Sequence, residues 1–176
     1  MNTIAVDAMG GDSAPIDIVK GAIKAKEQGV DVVLCGDKNL INPYLENYEI
    51  PVFDFPQVIS MDEDPLRAIR NKKNSSIVGC MQLLKDKKVQ AVFSAGSTGA
   101  TLISAISILG KHKGVIRPVI ASVLPSLSGY TILLDSGASL DVKPKVLFQY
   151  GIMGAKLAEV ITVSYTHLRA HETLPY

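Results

Sequence analysis

The sequence contains no tryptophan, and aromatic residues make up only 6% of it. Surfaces that read nucleic-acid bases by stacking interleave aromatic and basic residues, and no such stretch occurs. An excess of one charge is also missing: 18 lysines and arginines stand against 17 aspartates and glutamates, a formal net charge of +1. No long-range field therefore draws in a polyanion, and nucleic acid is not expected as a partner. The two cysteines, Cys35 and Cys80, lie inside apolar stretches without CxxC or Cys/His spacing. That pattern argues against a disulfide framework or a metal centre and leaves two small core residues. Neither a metal nor a cofactor is expected. No apolar run reaches the roughly 18 to 20 residues of a membrane span. The opening MNTIAVDAMGGD has no basic segment followed by a long apolar run, so the expected location is the cytoplasm.

What is present is a chain of 176 residues, 47% of them hydrophobic, enough for one domain or one part of a larger one. A short apolar run over 3–6 stops at Gly10-Gly11, and Asp12, Ser13 and Pro15 follow as a helix-start signature. Ile16, Val19 and Ile23 then recur at helical spacing as far as Gly29. The pattern next predicts a strand over 30–35, a helix from Gly36-Asp37 to near Tyr48, and a strand over 51–55. A polar, charged stretch leads to a helix from Ser75 and a strand over 90–94. An apolar helix over 100–109, strands over 119–123 and 131–134, and a final helix from Pro144 complete the reading. Strands separated by helices imply crossover connections, hence a mostly parallel sheet with helices on both faces.

Three segments could carry chemistry. In Asp7-Ala8-Met9-Gly10-Gly11-Asp12 the glycines permit close backbone approach, and the helix behind offers N–H groups and a positive dipole end to an anion. The plainer reading is a turn with Asp12 or Ser13 as helix cap. It lacks the GxGxxG spacing of a dinucleotide site. Ser94-Ala95-Gly96-Ser97-Thr98-Gly99 stands between a strand and a helix, where hydroxyls and backbone donors can converge on one oxyanion. A capped turn is the alternative, and no P-loop lysine is present. The third segment carries Arg67, Arg70, Lys72 and Lys73 and then Ser75-Ser76 at a helix start. It is either a recognition surface for phosphate or an acidic protein, or a solvated face. Arg67 and Arg70 share one helical face by spacing.

VDAMGGD, DEDPLRAIRNKKNSS, SAGSTGA, RPVIASVLP and LLDSGASLDVKPKVLFQYGIMG occur in that order, and together they resemble the bacterial phosphate acyltransferase family, often called PlsX, over residues 2–160. The resemblance implies a three-layer α/β/α fold of the isocitrate dehydrogenase and phosphate acetyltransferase kind. It also implies conversion of acyl-[acyl-carrier-protein] and inorganic phosphate to acyl phosphate for phospholipid synthesis. Phosphate is an anionic nucleophile already, so the chemistry needs positioning and oxyanion donors rather than a catalytic triad. On this reading Asp7, Gly10, Gly11, Asp12, Ser97, Thr98 and Gly99 bind substrate or phosphate. Arg67, Arg70, Lys73, Ser75 and Ser76 recognise the anion or the carrier protein, and no residue is assigned as catalytic. The family is homodimeric and peripherally membrane-associated.

Ser97 stands where the family usually has asparagine, and Asp135-Ser136-Gly137-Ala138-Ser139 where it usually has DVGAN. The lysine-containing and TDGFTGN-like loops of the family's later part do not occur. The domain expectation is that residues 1–160 form the amino-terminal part of the family's α/β domain. Residues 161–176, which break the preceding pattern, resemble translated adapter read-through. The alternatives are a phosphate acetyl- or butyryltransferase using coenzyme A thioesters, and an inactive anion-binding fragment.

Overall fold

The structure, a computed structural model, describes residues 2–127, 129–137 and 141–162. It divides into two compact units, Met1–Gly110 and Lys111–Tyr176. The first unit contains β1 (Ile4–Asp7), α1 (Ile16–Glu27), β2 (Val32–Gly36), α2 (Lys38–Ile41), β3 (Val52–Asp54), α3 (Pro65–Asn71), α4 (Ser76–Lys85), β4 (Ala91–Ser94) and α5 (Thr98–Ile108). Its strands form one parallel sheet in the order β3-β2-β1-β4.

Side chains alternate across the two faces of this sheet with the period of two that a strand imposes. Val6, Val32 and Leu34 join Val19 and Ala22 of α1 in one core cluster. Ala5, Val33 and Cys35 join Cys80 and Leu83 of α4 in the other. Helices therefore cover both faces, and the three-layer α/β/α expectation holds in this unit. A third cluster of Ile69, Ile77 and Met81, with Ile103 and Ile108 packed on it, ties α3, α4 and α5 together. Both cysteines are buried and free. The neighbouring Cys35 thiol, and then burial, push the Cys80 thiol far above its ordinary value, so it stays a neutral core group.

Several expected boundaries shift for physical reasons. Helix α1 starts at Ile16 behind Pro15, with no side-chain cap; Asp12 and Ser13 lie in the preceding turn rather than capping it. The helix expected to run from Gly36 to Tyr48 is only α2 followed by a 3-10 turn, Asn42–Tyr44, because Pro43 removes a backbone donor. The abrupt change at 61–65 is a helix start: Asp64 accepts a hydrogen bond from the Arg67 N–H at 2.8 Å, and Pro65 takes the first position of α3.

The second unit comprises β5 (Ala121–Ser126), β6 (Gly129–Leu134) and α6 (Pro144–Thr162). The two strands, expected over 119–123 and 131–134, form an antiparallel hairpin of their own. The two-residue connection at 127–128 is too short for the crossover that parallel pairing requires. Residues 161 and 162 are the last of α6, and the remainder of the expected foreign tail, 163–176, lies outside the described residues, as do Ala138 and Ser139.

Candidate functional site

In the sheet order β3-β2-β1-β4 the chain moves outward from β1 in one direction and then returns to its other side. The position between β1 and β4 is thus a topological switch point, where the loops after adjacent strands diverge and leave a crevice at the carboxyl ends. The loops that flank this crevice are the two glycine-containing segments. Asp7 and Ser94 are register partners at the ends of β1 and β4. By strand alternation both point to the α4 side of the sheet, with Ala5 and Val92.

There the Ser94 hydroxyl donates to Asp7 Oδ2 at 2.7 Å, the Gly96 N–H donates to Ser94 Oγ at 3.1 Å, and the Met9 N–H donates to Asp7 Oδ1 at 3.3 Å. Asp7 is only 3% exposed, and these bonds satisfy a buried carboxylate that would otherwise be costly. The loops touch through their glycines. A methyl group built on Gly10 would stand 2.6 Å from Asp7 Oδ2 and 2.9 Å from the Gly96 nitrogen, and one on Gly96 would stand 3.1 Å from Gly10 Cα. Gly11 has φ +109° and lies against Ala95, a conformation and a proximity that suit glycine alone.

A small, partly open hollow lies beside this contact, lined by Asp7, Met9, Gly10, Ser94, Gly96 and Ser97, with Ser76, Ile77, Ala100 and Thr101 on the helix side and Ile59 at its edge. The amino ends of α4 and α5 both reach it. First-turn N–H groups lack partners within their own helix, and they carry the positive end of the helix dipole. Two such ends at one hollow form an anion-attracting wall. The Ser97 side chain caps α5, accepting from the Ala100 N–H at 3.3 Å. Among the described residues the fully buried Ser75 hydroxyl finds no hydrogen-bond partner, and none of their side chains caps α4.

The structure brings together Asp7, Gly10, Ser97 and Ser76 of the residues singled out from sequence. Gly11 supports the loop contact from the side of Ala95. Asp12 and Thr98 are exposed and do not line the hollow. Gly99 packs on Pro65 of α3, whose Cγ would be 2.8 Å from an added methyl. Arg67, Arg70 and Lys73 are exposed and do not line the hollow either. Lys72, in contrast, is committed: its Nζ donates to the Val58 carbonyl at 2.7 Å and pairs with Glu63.

That ion pair staples the segment that brings Ile59 to the hollow. Lys72 first, then the Ser60 N–H and hydroxyl, lower the Glu63 pKa from 4.5 to about 2. A folded value below the unfolded one favours the stapled form whenever Glu63 is ionised. The staple is therefore complete above pH 4.5 and is lost as pH falls through about 2. Hydrogen exchange at the Ser60 N–H should stay slow down to that range and then accelerate. Exchange protection independent of pH would contradict the staple.

A family model described as "Fatty acid synthesis protein" matches residues 2–171. The chain belongs to this family. The phosphate acyltransferase of Desulforamulus reducens is 48% identical over 164 residues, covering 90% of this chain and 49% of that protein. The phosphate acyltransferase of Syntrophomonas wolfei is 43% identical over 166 residues, covering 90% and 52%. The chain spans about half the length of the curated relatives it matches. Among solved structures, EutD phosphotransacetylase from Staphylococcus aureus aligns with a TM-score of 0.63 at 17% identity, over 89% of this chain and 52% of that one. At that identity the likeness establishes the shared fold.

Within this member of the fatty acid synthesis protein family, Ser94 was given no role from sequence, although it stands in the second glycine segment. The available signal was its place as a polar residue ending an apolar strand. Met9, Ile59 and Thr101 gave no such signal, since an apolar or hydroxyl residue beside a turn is ordinary. Among the described residues no group of three or more His, Cys, Asp or Glu side chains could hold a metal ion. No helix among them is long and apolar enough to cross a membrane.

Proposed function

We propose that the hollow between β1 and β4 is a phosphate and oxyanion site, and that this chain supplies it to an enzyme converting acyl-[acyl-carrier-protein] and inorganic phosphate to acyl phosphate. The observation that carries the reading is the convergence of both glycine loops and the amino ends of α4 and α5 on one hollow at the switch point. Such a hollow holds an oxyanion with backbone donors and leaves the opposite side open to a second reactant. The family and its phosphate acyltransferase relatives support the choice of reaction.

Gly10, Ser97 and the first turns of α4 and α5 would surround phosphate, with Ser75 and Ser76 at the head of α4 and Gly11 holding its loop against Ala95. Asp12, Thr98 and Gly99 flank this set. Arg67, Arg70 and Lys73, whose side chains make no hydrogen bond or ion pair with other described residues, would meet the acidic surface of the carrier protein by charge complementarity. A cytoplasmic, homodimeric enzyme with peripheral membrane association completes the proposal.

The full-length protein that carries this sequence, assayed for acyl-phosphate formation, should use acyl-[acyl-carrier-protein] in preference to acyl-coenzyme A. Arg67→Glu with Arg70→Glu should raise KM for the carrier protein by about thirtyfold, since each reversed rim charge costs on the order of 1 kcal/mol, and leave KM for phosphate in place. Preference for the coenzyme A thioester would instead indicate a phosphate acetyl- or butyryltransferase. Phosphate binding without turnover of either thioester would indicate an anion-binding protein.

A further inference from the structure

We propose that Ser94 is a positioning residue for the anion site, holding the two glycine loops in register through Asp7 without itself touching the anion. This rests on the reading of the hollow as a phosphate site. Three hydrogen bonds run in series across the crevice: the Gly96 N–H to Ser94 Oγ, the Ser94 hydroxyl to Asp7 Oδ2, and the Met9 N–H to Asp7 Oδ1. The first belongs to the loop after β4 and the last to the loop after β1. Ser94 and Asp7 each bond to their own loop and across to the opposing strand, so the Ser94–Asp7 bond is the link that joins the two loops.

The donor count separates positioning from binding. A serine hydroxyl has a single proton, and Ser94 gives it to Asp7. Its oxygen is then occupied by Gly96, so Ser94 and the Gly96 N–H both face inward and are unavailable to an anion. Both Asp7 carboxylate oxygens accept from the protein, Oδ1 from the Met9 N–H and Oδ2 from the Ser94 hydroxyl, so Asp7 serves the loops rather than offering a donor to the anion. Its role in the hollow is to gather the Met9 N–H and the Ser94 hydroxyl. The donors left for an oxyanion are helix-end N–H groups other than those of Ser76, which donates to the Gln57 carbonyl, and Ala100, which donates to Ser97 Oγ, and their spacing depends on how closely the two loops are drawn together. The fit is tight, since a methyl group on Gly10 would lie 3.0 Å from Ser94 Oγ. Displacement of reacting groups by about 1 Å costs up to roughly 100-fold in rate.

The test compares Ser94→Ala, Ser94→Thr, Asp7→Asn and the Ser94→Ala/Asp7→Asn double variant in the full-length protein. It measures affinity for inorganic phosphate by titration, KM for phosphate and for the acyl donor where turnover occurs, and the unfolding midpoint. Ser94→Ala should weaken phosphate binding by about tenfold, within the range that misplacement of donors produces, with KM for the acyl donor unchanged. Ser94→Thr, which keeps the hydroxyl, should recover most of that loss. The double variant should bind phosphate no more weakly than Asp7→Asn alone, because both changes break one series of bonds.

Unchanged phosphate affinity in a folded Ser94→Ala protein would overturn the proposal, as would a folded Ser94→Thr protein no better than Ser94→Ala. So would a wild-type protein that binds no phosphate. A wild-type protein that binds phosphate but forms no acyl phosphate would sink the enzymatic reading while leaving the Ser94 comparison decisive.

Discussion

Gly10→Ala is expected to abolish acyl-phosphate formation and phosphate binding together, the largest functional effect of any single methyl group in this chain. The added carbon would meet Asp7 Oδ2 at 2.6 Å, the Gly96 nitrogen at 2.9 Å and Ser94 Oγ at 3.0 Å. All three atoms belong to the hydrogen-bond series that joins the loops, and one of them is main chain, so none can swing away without breaking that series. Overpacking of this kind costs roughly 1 to 3 kcal/mol. Here the strain is relieved by parting the loops, which moves the donors around the hollow. Loss of activity of about 100-fold or more accompanies displacements of that size, and it should appear in both kcat and KM for phosphate. Steady-state kinetics with a thermal melt checks this: a folded variant with near wild-type kinetics would show that the loops need not touch.

Leu34→Ala should have the largest effect on stability. Leu34 is fully buried in β2, an interior strand of the sheet, and packs with Val6, Val19 and Ile41 in the cluster beneath α1. Removing a buried leucine side chain costs about 2 to 5 kcal/mol through lost transfer energy and the cavity left behind. Calorimetry should show a midpoint lowered by roughly 10 °C or more, given about 4 to 8 °C per kcal/mol in a domain of this size. Because Leu34 faces α1 and the hollow lies on the α4 side, the protein that remains folded should bind phosphate with wild-type affinity. A loss of phosphate affinity in the folded state would mean that the two faces are coupled more strongly than separate core clusters imply.

How far the sequence disclosed this arrangement varies from element to element. Helices α1 and α4 were readable because Ile16, Val19 and Ile23, and later Ile77, Met81 and Leu84, repeat at helical spacing, whereas α3 lay hidden in a polar, charged stretch. The strands between them are short apolar runs ended by glycine or polar residues. Local pattern does not encode pairing, so the two apolar runs of β5 and β6 did not disclose that they form a separate antiparallel hairpin. The length of the connection was the only clue to its direction. The glycine loops were conspicuous as motifs, but their contact depends on β4 returning to the far side of β1, a long-range fact. Ser94 was overlooked for the same reason: its partner Asp7 is 87 residues away. The basic segment was legible as a charge cluster. Only the fold distinguishes Lys72, committed to Glu63 and Val58, from Arg67, Arg70 and Lys73, which stay exposed.

The central claim is that the two glycine loops and the two helix ends make one anion site. Titrating the protein with inorganic phosphate while following individual backbone amide resonances tests it most directly. One binding site requires Gly10, Gly11, Ser97 and Ser76 to shift together along a single saturation curve, with Arg67, Arg70 and Lys73 little affected. Shifts confined to those three basic residues, or separate curves for the two loops, would contradict it.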